Sequence, residues 1–140
     1  MSWNTGLARV GAALYVLWGV LHYDAAYGLY QVAQSTPLTI DHGRLEQLAF
    51  YLASFATAGI VFATLNWRNS PLGFWCNAII LGIGDIPFIL FVLVPGYMPV
   101  WPGIAGPALW IGGLVCTAVA QVPMSGTVGA AKLARRDATT

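Results

Sequence analysis

An all-α integral membrane protein, an antiparallel up-down four-helix bundle with both termini in the cytoplasm, is what this 140-residue sequence predicts. Three observations carry the expectation. The chain is 58% apolar and only 8% charged, where a soluble domain carries roughly 25% charged residues, so too few charges exist to cover a water-facing surface. Its apolar residues fall into four long continuous runs, without the alternation of membrane strands. Its few charges are mostly confined to short stretches, and a net charge of +1 leaves no basic face for nucleic acid.

A helix crosses the hydrocarbon core with about 20 apolar residues, and residues 7–30, 43–65, 72–94 and 102–122 each provide such a run. The first follows Met1 too closely and runs too long for a signal peptide, so it is expected to remain in place. Gln34-Ser35-Thr36-Pro37 and Asp41-His42-Gly43 separate it from the second, and residues 66–71 separate the second from the third. Pro95, Gly96, Pro99 and Pro102 precede the fourth. Connections this short make neighbouring helices antiparallel. Pro87 removes a backbone donor and crowds the Ile83 carbonyl, which predicts a kink over residues 82–87, and Pro107 predicts a bend in the fourth helix. Trp3, Trp67, Tyr97 and Trp101 fall near span ends, as interfacial anchors do.

Residues 1–124 are read as one transmembrane domain and residues 125–140 as a basic cytoplasmic tail lying partly on anionic headgroups. Arg9, Arg68, Lys132, Arg135 and Arg136 share one side of the four spans and Arg44 stands alone on the other. The positive-inside rule makes the first side cytoplasmic. Cys76 and Cys116 both belong to the cytoplasmic half, where a disulfide is not expected, and are read as small packing residues. Lipid competes with apolar contacts between helices, so association falls to close-packed glycines and to hydrogen bonds between helices.

Ionisable side chains within the spans need a reason, since a charge at mid-membrane costs roughly 2.5–3.5 kcal/mol. They are His22, Asp24, Arg44, Glu46 and Asp85. At 1.5 Å rise per residue, His22 lies about 12 Å, Asp24 about 9 Å, Glu46 about 5 Å and Asp85 about 13 Å below the outer end of its span. All four sit in the outer half, whereas Asn77 and Gln121 are the only strongly polar side chains expected in the inner half. His22 and Asp24 are about 200° apart on one helix, so His22 is expected to face inward on the stripe of Tyr15 and Trp18, with Asp24 reaching toward the headgroups. His42, Glu46 and Phe50 make an inward line on the second helix.

These expectations combine into one outer-half pocket. His22, Glu46 and Asp85 are its candidate acid–base residues, and Tyr23, Asp24, Tyr27, His42, Tyr51, Trp101 and Trp110 are its candidate ligand-binding residues. A carboxyl group beside an imidazole in an apolar surround can exchange a proton near neutral pH. A lipophilic substrate stacked on the aromatic rings could then undergo double-bond isomerisation, cyclisation or epoxide opening. The bland alternative is that the same three side chains hydrogen-bond across helices and fix their register. Residues 31–42 form a loop long enough to act as a lid. No dinucleotide or phosphate fingerprint, H-E-x-x-H or C-x-x-C spacing occurs, so no cofactor and no metal is expected.

Gly19-Val20-Leu21-His22 followed by Gly28, with Arg44 and Phe50 on the second helix, resembles the small four-helix membrane proteins grouped as DoxX-like. The resemblance implies a bacterial inner-membrane location and a left-handed four-helix bundle, and it carries over no catalytic residue. Three functions remain open: a binder of a lipophilic small molecule with acid–base chemistry, a non-catalytic accessory or assembly subunit, and a proton-coupled carrier acting as an oligomer. The partners expected are membrane lipids, the lipophilic ligand, and a second copy or a larger membrane complex.

Overall fold

The computed structural model describes residues 3–122. The chain is all-helical among the described residues: α1 (Trp3–Ser35), α2 (Ile40–Trp67), α3 (Pro71–Phe88) running on as a π-helix (Ile89–Leu93), a short α4 (Val100–Gly103) and α5 (Ala105–Gln121). The four long helices pack in a ring, α1 on α2 and α5, and α3 on α2 and α5. Neighbours run antiparallel. Gly11 lies against Thr117 while Gly106 lies against His22, so α1 and α5 oppose each other, and Gly73 against Leu65 with Gly59 against Leu81 gives the same sense for α2 and α3.

Several boundaries differ from the sequence expectation. α1 continues to Ser35 and α2 starts at Ile40, so the expected lid over residues 31–42 shrinks to a connection at 36–39. Asp41 and His42 belong to the first turns of α2. The Pro87 effect takes the form of a change in helical pitch: α3 stays helical through the proline and widens into the π-helix immediately after it. In the wider turn Val94 N donates to the Ile89 carbonyl and Tyr97 N to that of Val92. Residues 102–122 are not one helix, because Trp101 has extended backbone angles and Ile104 separates α4 from α5. The basic tail at 125–140 lies outside the described residues.

Two stretches, Ile40–Trp67 and Pro71–Leu93, are long and apolar enough to cross a membrane. Their 28 and 23 residues reach about 42 and 35 Å at 1.5 Å per residue, against about 30 Å of hydrocarbon. α5 is apolar but shorter, and α1 interrupts its apolar sequence with Asn4, Arg9, His22, Asp24, Gln31 and Gln34.

Small residues meet inside the ring and large ones face out. The core consists of alanines at 8, 12, 26, 33, 49, 56, 63 and 120 with three large side chains, Tyr15, Trp18 and Leu81. Leu17, Val61, Trp75, Ile79, Ile83, Phe91, Ile111 and Val115 are exposed. Glycine sets the closest approaches: a Cβ on Gly73 would lie 2.7 Å from Leu65 Cβ and 2.8 Å from the Asn66 nitrogen, and one on Gly113 would lie 2.7 Å from the Tyr15 ring.

Polar contacts tie the ring at the end holding Trp3, Arg68 and Gln121. Asn66 Nδ2 donates to the Gly73 carbonyl at 3.0 Å. Asn69, in the left-handed backbone region that asparagine tolerates, donates through Nδ2 to the Ala120 carbonyl. Arg9 lies over the Trp67 ring at 5.2 Å. One turn deeper, Tyr15 and Thr117 share a buried hydrogen bond. Asn66 and Thr117 are buried polar residues at this end of the ring.

Candidate functional site

His22 and Asp85 meet between α1, α3 and α5. Their positions follow from helical spacing. On α1, Tyr15, Trp18 and His22 recur three and four residues apart and so share the inward stripe, with Tyr15 and Trp18 fully buried. On α3, Gly73, Asn77, Leu81 and Asp85 recur every fourth residue, and all four are buried. Opposite them Gly106 on α5 leaves the room: a Cβ there would sit 2.9 Å from His22 Cε1 and 3.6 Å from Asp85 Oδ1.

The hydrogen bonds around this pair are asymmetric. Trp18 Nε1 donates to Asp85 Oδ2 at 2.8 Å. His22 Nδ1 stands 2.8 Å from the Trp18 carbonyl, and because a carbonyl only accepts, Nδ1 is the donor. The imidazole also stacks on the Trp18 indole, with centroids 3.6 Å apart and planes 21° from parallel. Trp18 therefore holds both partners, the carboxyl through its side chain and the imidazole through its backbone and its ring face. His22 Nε2 is left 3.7 Å from Asp85 Oδ1, too far for a hydrogen bond and close enough for a proton to be relayed after a small movement. Asp85 is 1% exposed, and its Oδ1 has no hydrogen-bond partner.

A cavity of about 300 Å³ opens beside this pair. α1 lines it with Leu21, His22, Asp24 and Ala25, α2 with Leu52, and α3 with Gly84 and Phe88. The other wall comes from Met98, Pro102 and Gly103 around α4 and from Gly106 and Pro107 at the start of α5. Apart from His22 and Asp24 the lining is apolar or glycine. Gly103 and Pro107, on either side of the break between α4 and α5, are buried here. Asp24 is exposed and lines the same cavity as His22. The angular separation read from the sequence puts one in the wall and the other at the rim, without sending them to different places.

The single pocket expected from the sequence divides in two. Glu46 does not join His22 and Asp85. Because α1 runs on to Ser35, Glu46 stands opposite its last turns: Gln34 Nε2 donates to Glu46 Oε1 at 3.1 Å, and His42 Nε2 lies 3.4 Å from the same oxygen. His42 also places Nδ1 3.3 Å from the Thr36 carbonyl. Tyr23 and Tyr27, with Tyr30, flank a separate open groove between α1 and α2 that includes Glu46 and Phe50. Tyr23 follows His22 by one residue and so turns about 100° away, toward α2, where its hydroxyl pairs with that of Thr57 at 2.6 Å. Tyr27 accepts a hydrogen bond from Gln31.

The remaining candidates lie apart from both. Tyr51 is exposed and accepts from Gln47 Nε2. Trp101 is 75% exposed, while Trp110 packs on the core with its ring over Gly82, a turn away from the His22 level. Met98, Pro102, Gly103 and Gly106 are lining residues that the sequence reading did not single out. The cluster of prolines and glycines at 95–107 was their one visible signal. Among the described residues no three His, Cys, Asp or Glu side chains converge as metal ligands. No protein-family model matches the chain, and neither curated proteins nor solved structures give a match.

Proposed function

We propose that this chain is a membrane-embedded four-helix bundle that binds a lipophilic small molecule in the cavity beside His22, with the His22–Asp85 pair placed to take up and return a proton. Membrane embedding is supported by the distribution of side chains. Large apolar residues cover the outside while alanine, glycine and a few polar groups lie inside with Tyr15, Trp18 and Leu81, an arrangement that water would penalise and that lipid accommodates through close backbone approach. The excess of Arg and Lys on the side of the spans that the sequence assigns to Arg9, Arg68, Lys132, Arg135 and Arg136 supports cytoplasmic termini. The DoxX-like resemblance favours a bacterial inner membrane. On this topology the cavity opens in the outer half.

The observation that carries the binding reading is an apolar cavity with His22 in its wall and Asp85 directly behind His22. Ligand sites are concave and mostly apolar with a few convergent polar groups, and the cavity beside His22 has that composition. The ligand's apolar body would lie on Leu52, Phe88 and Met98 while its polar end meets His22 Nε2. Asp85, which Trp18 anchors, then acts as a positioning residue and a second proton carrier. Native mass spectrometry of the purified chain tests this. Wild type is expected to retain an apolar adduct that His22→Ala loses while helicity is unchanged. An adduct-free wild type, or equal retention by His22→Ala, would overturn the reading.

A further inference from the structure

We infer, resting on the ligand-binding reading above, that the cavity is built for a lipophilic amine held as its ammonium form and that it rejects carboxylates. The donors and acceptors around the cavity decide the ligand class. His22 spends its Nδ1–H on the Trp18 carbonyl, so the imidazole, when it carries a single proton, presents the lone pair of Nε2. Asp85 spends Oδ2 on the Trp18 indole and holds Oδ1 unpartnered, 1% exposed and 3.7 Å behind Nε2. Asp24 adds a carboxylate at the rim. The two polar side chains that line the cavity, His22 through Nε2 and Asp24 through its carboxylate, thus offer acceptors, and the lining contains neither Lys nor Arg.

Such a wall selects for donors. An ammonium group brings three N–H donors and a charge that suits the Asp24 carboxylate at the rim, and charge-assisted hydrogen bonds are roughly twice as strong as neutral ones. An alcohol brings one donor and no charge. A carboxylate brings only acceptors and would meet acceptors in an apolar surround, where an uncompensated ion is expensive. Buried Asp85 adds a second reason: its Oδ1 has no hydrogen-bond partner and lies 3.7 Å from His22 Nε2, so an ammonium bonded to Nε2 keeps further N–H groups for it, where an alcohol has none left.

The test uses the full chain in nanodiscs at pH 7.5, titrated calorimetrically with octylamine, octanol and octanoate. Alkylamines are protonated there, as lysine is. Binding that survives in Ala25→Trp, which fills the cavity from an exposed position, measures partition into lipid and is subtracted. Saturable octylamine binding at least about tenfold tighter than octanol, weakest for octanoate, is expected, with the amine preference reduced in Asp24→Asn. Octanoate binding as tightly as octylamine, or a preference unchanged in Asp24→Asn, would overturn the amine assignment while leaving a lipophilic site. No saturable binding of any of the three would remove the site itself.

Discussion

Trp18 has three attachments to the site: its indole N–H holds Asp85, its carbonyl holds His22, and its ring stacks on the imidazole. Replacing it by phenylalanine keeps the backbone carbonyl and an aromatic face and removes only the indole donor. Trp18→Phe would therefore strand Asp85 Oδ2 as well as Oδ1, and a buried group deprived of its partner costs about 1–3 kcal/mol. Thermal unfolding should show a clear fall in midpoint. Asp85→Asn is the informative contrast, because the amide oxygen can still accept from Trp18 and its NH₂ can donate to His22 Nε2. Its midpoint should stay near that of wild type, and a loss as large as that of Trp18→Phe would contradict the assigned roles. His22 and Asp85 were legible in the sequence as costly residues at matching depth. Trp18 was legible only as a stripe neighbour, since its ability to bind both partners depends on the ring orientation that three-dimensional packing selects.

Between helices, glycine positions separate into contacts and open surface, and the sequence alone does not distinguish them. Gly73 presses on Leu65 and on the Asn66 backbone, whereas Gly28 in α1 has nothing within 4 Å of a would-be Cβ. Gly73→Ala should lower the unfolding midpoint, with about 1–3 kcal/mol of overpacking against backbone atoms that cannot rotate away. Gly28→Ala should leave it unchanged or raise it, because alanine is favoured over glycine in a helix by up to about 1 kcal/mol. Equal effects of the two would mean that α2 and α3 do not approach as closely as described. The same comparison explains what the sequence could and could not tell about helix ends. Apolar runs locate the helices, yet α1 extends past its apolar run because Gln31 and Gln34 find partners in Tyr27 and Glu46. That extension moves Glu46 away from His22 and divides the expected pocket.

For the molecule as a whole, composition made the helical architecture and its order legible, because continuous apolar runs joined by short turns leave few alternatives. The cavity was not legible in the same way. Its far wall is the irregular segment around α4, where prolines and glycines announce a break without stating what the break encloses. The account therefore stands on one spatial claim, that an apolar ligand enters beside His22 and not along the tyrosine groove on the other side of α1. Photolabelling with a diazirine-bearing long-chain alcohol, mapped by peptide mass spectrometry in wild type and Ala25→Trp, tests it directly. The label should concentrate on peptides carrying Leu21 to Ala25, Gly84 to Phe88 and Pro102 to Pro107 and should vanish from them in Ala25→Trp. Labelling centred on Tyr27, Tyr30 and Phe50, or spread along the outer helix faces and indifferent to Ala25→Trp, would contradict the claim.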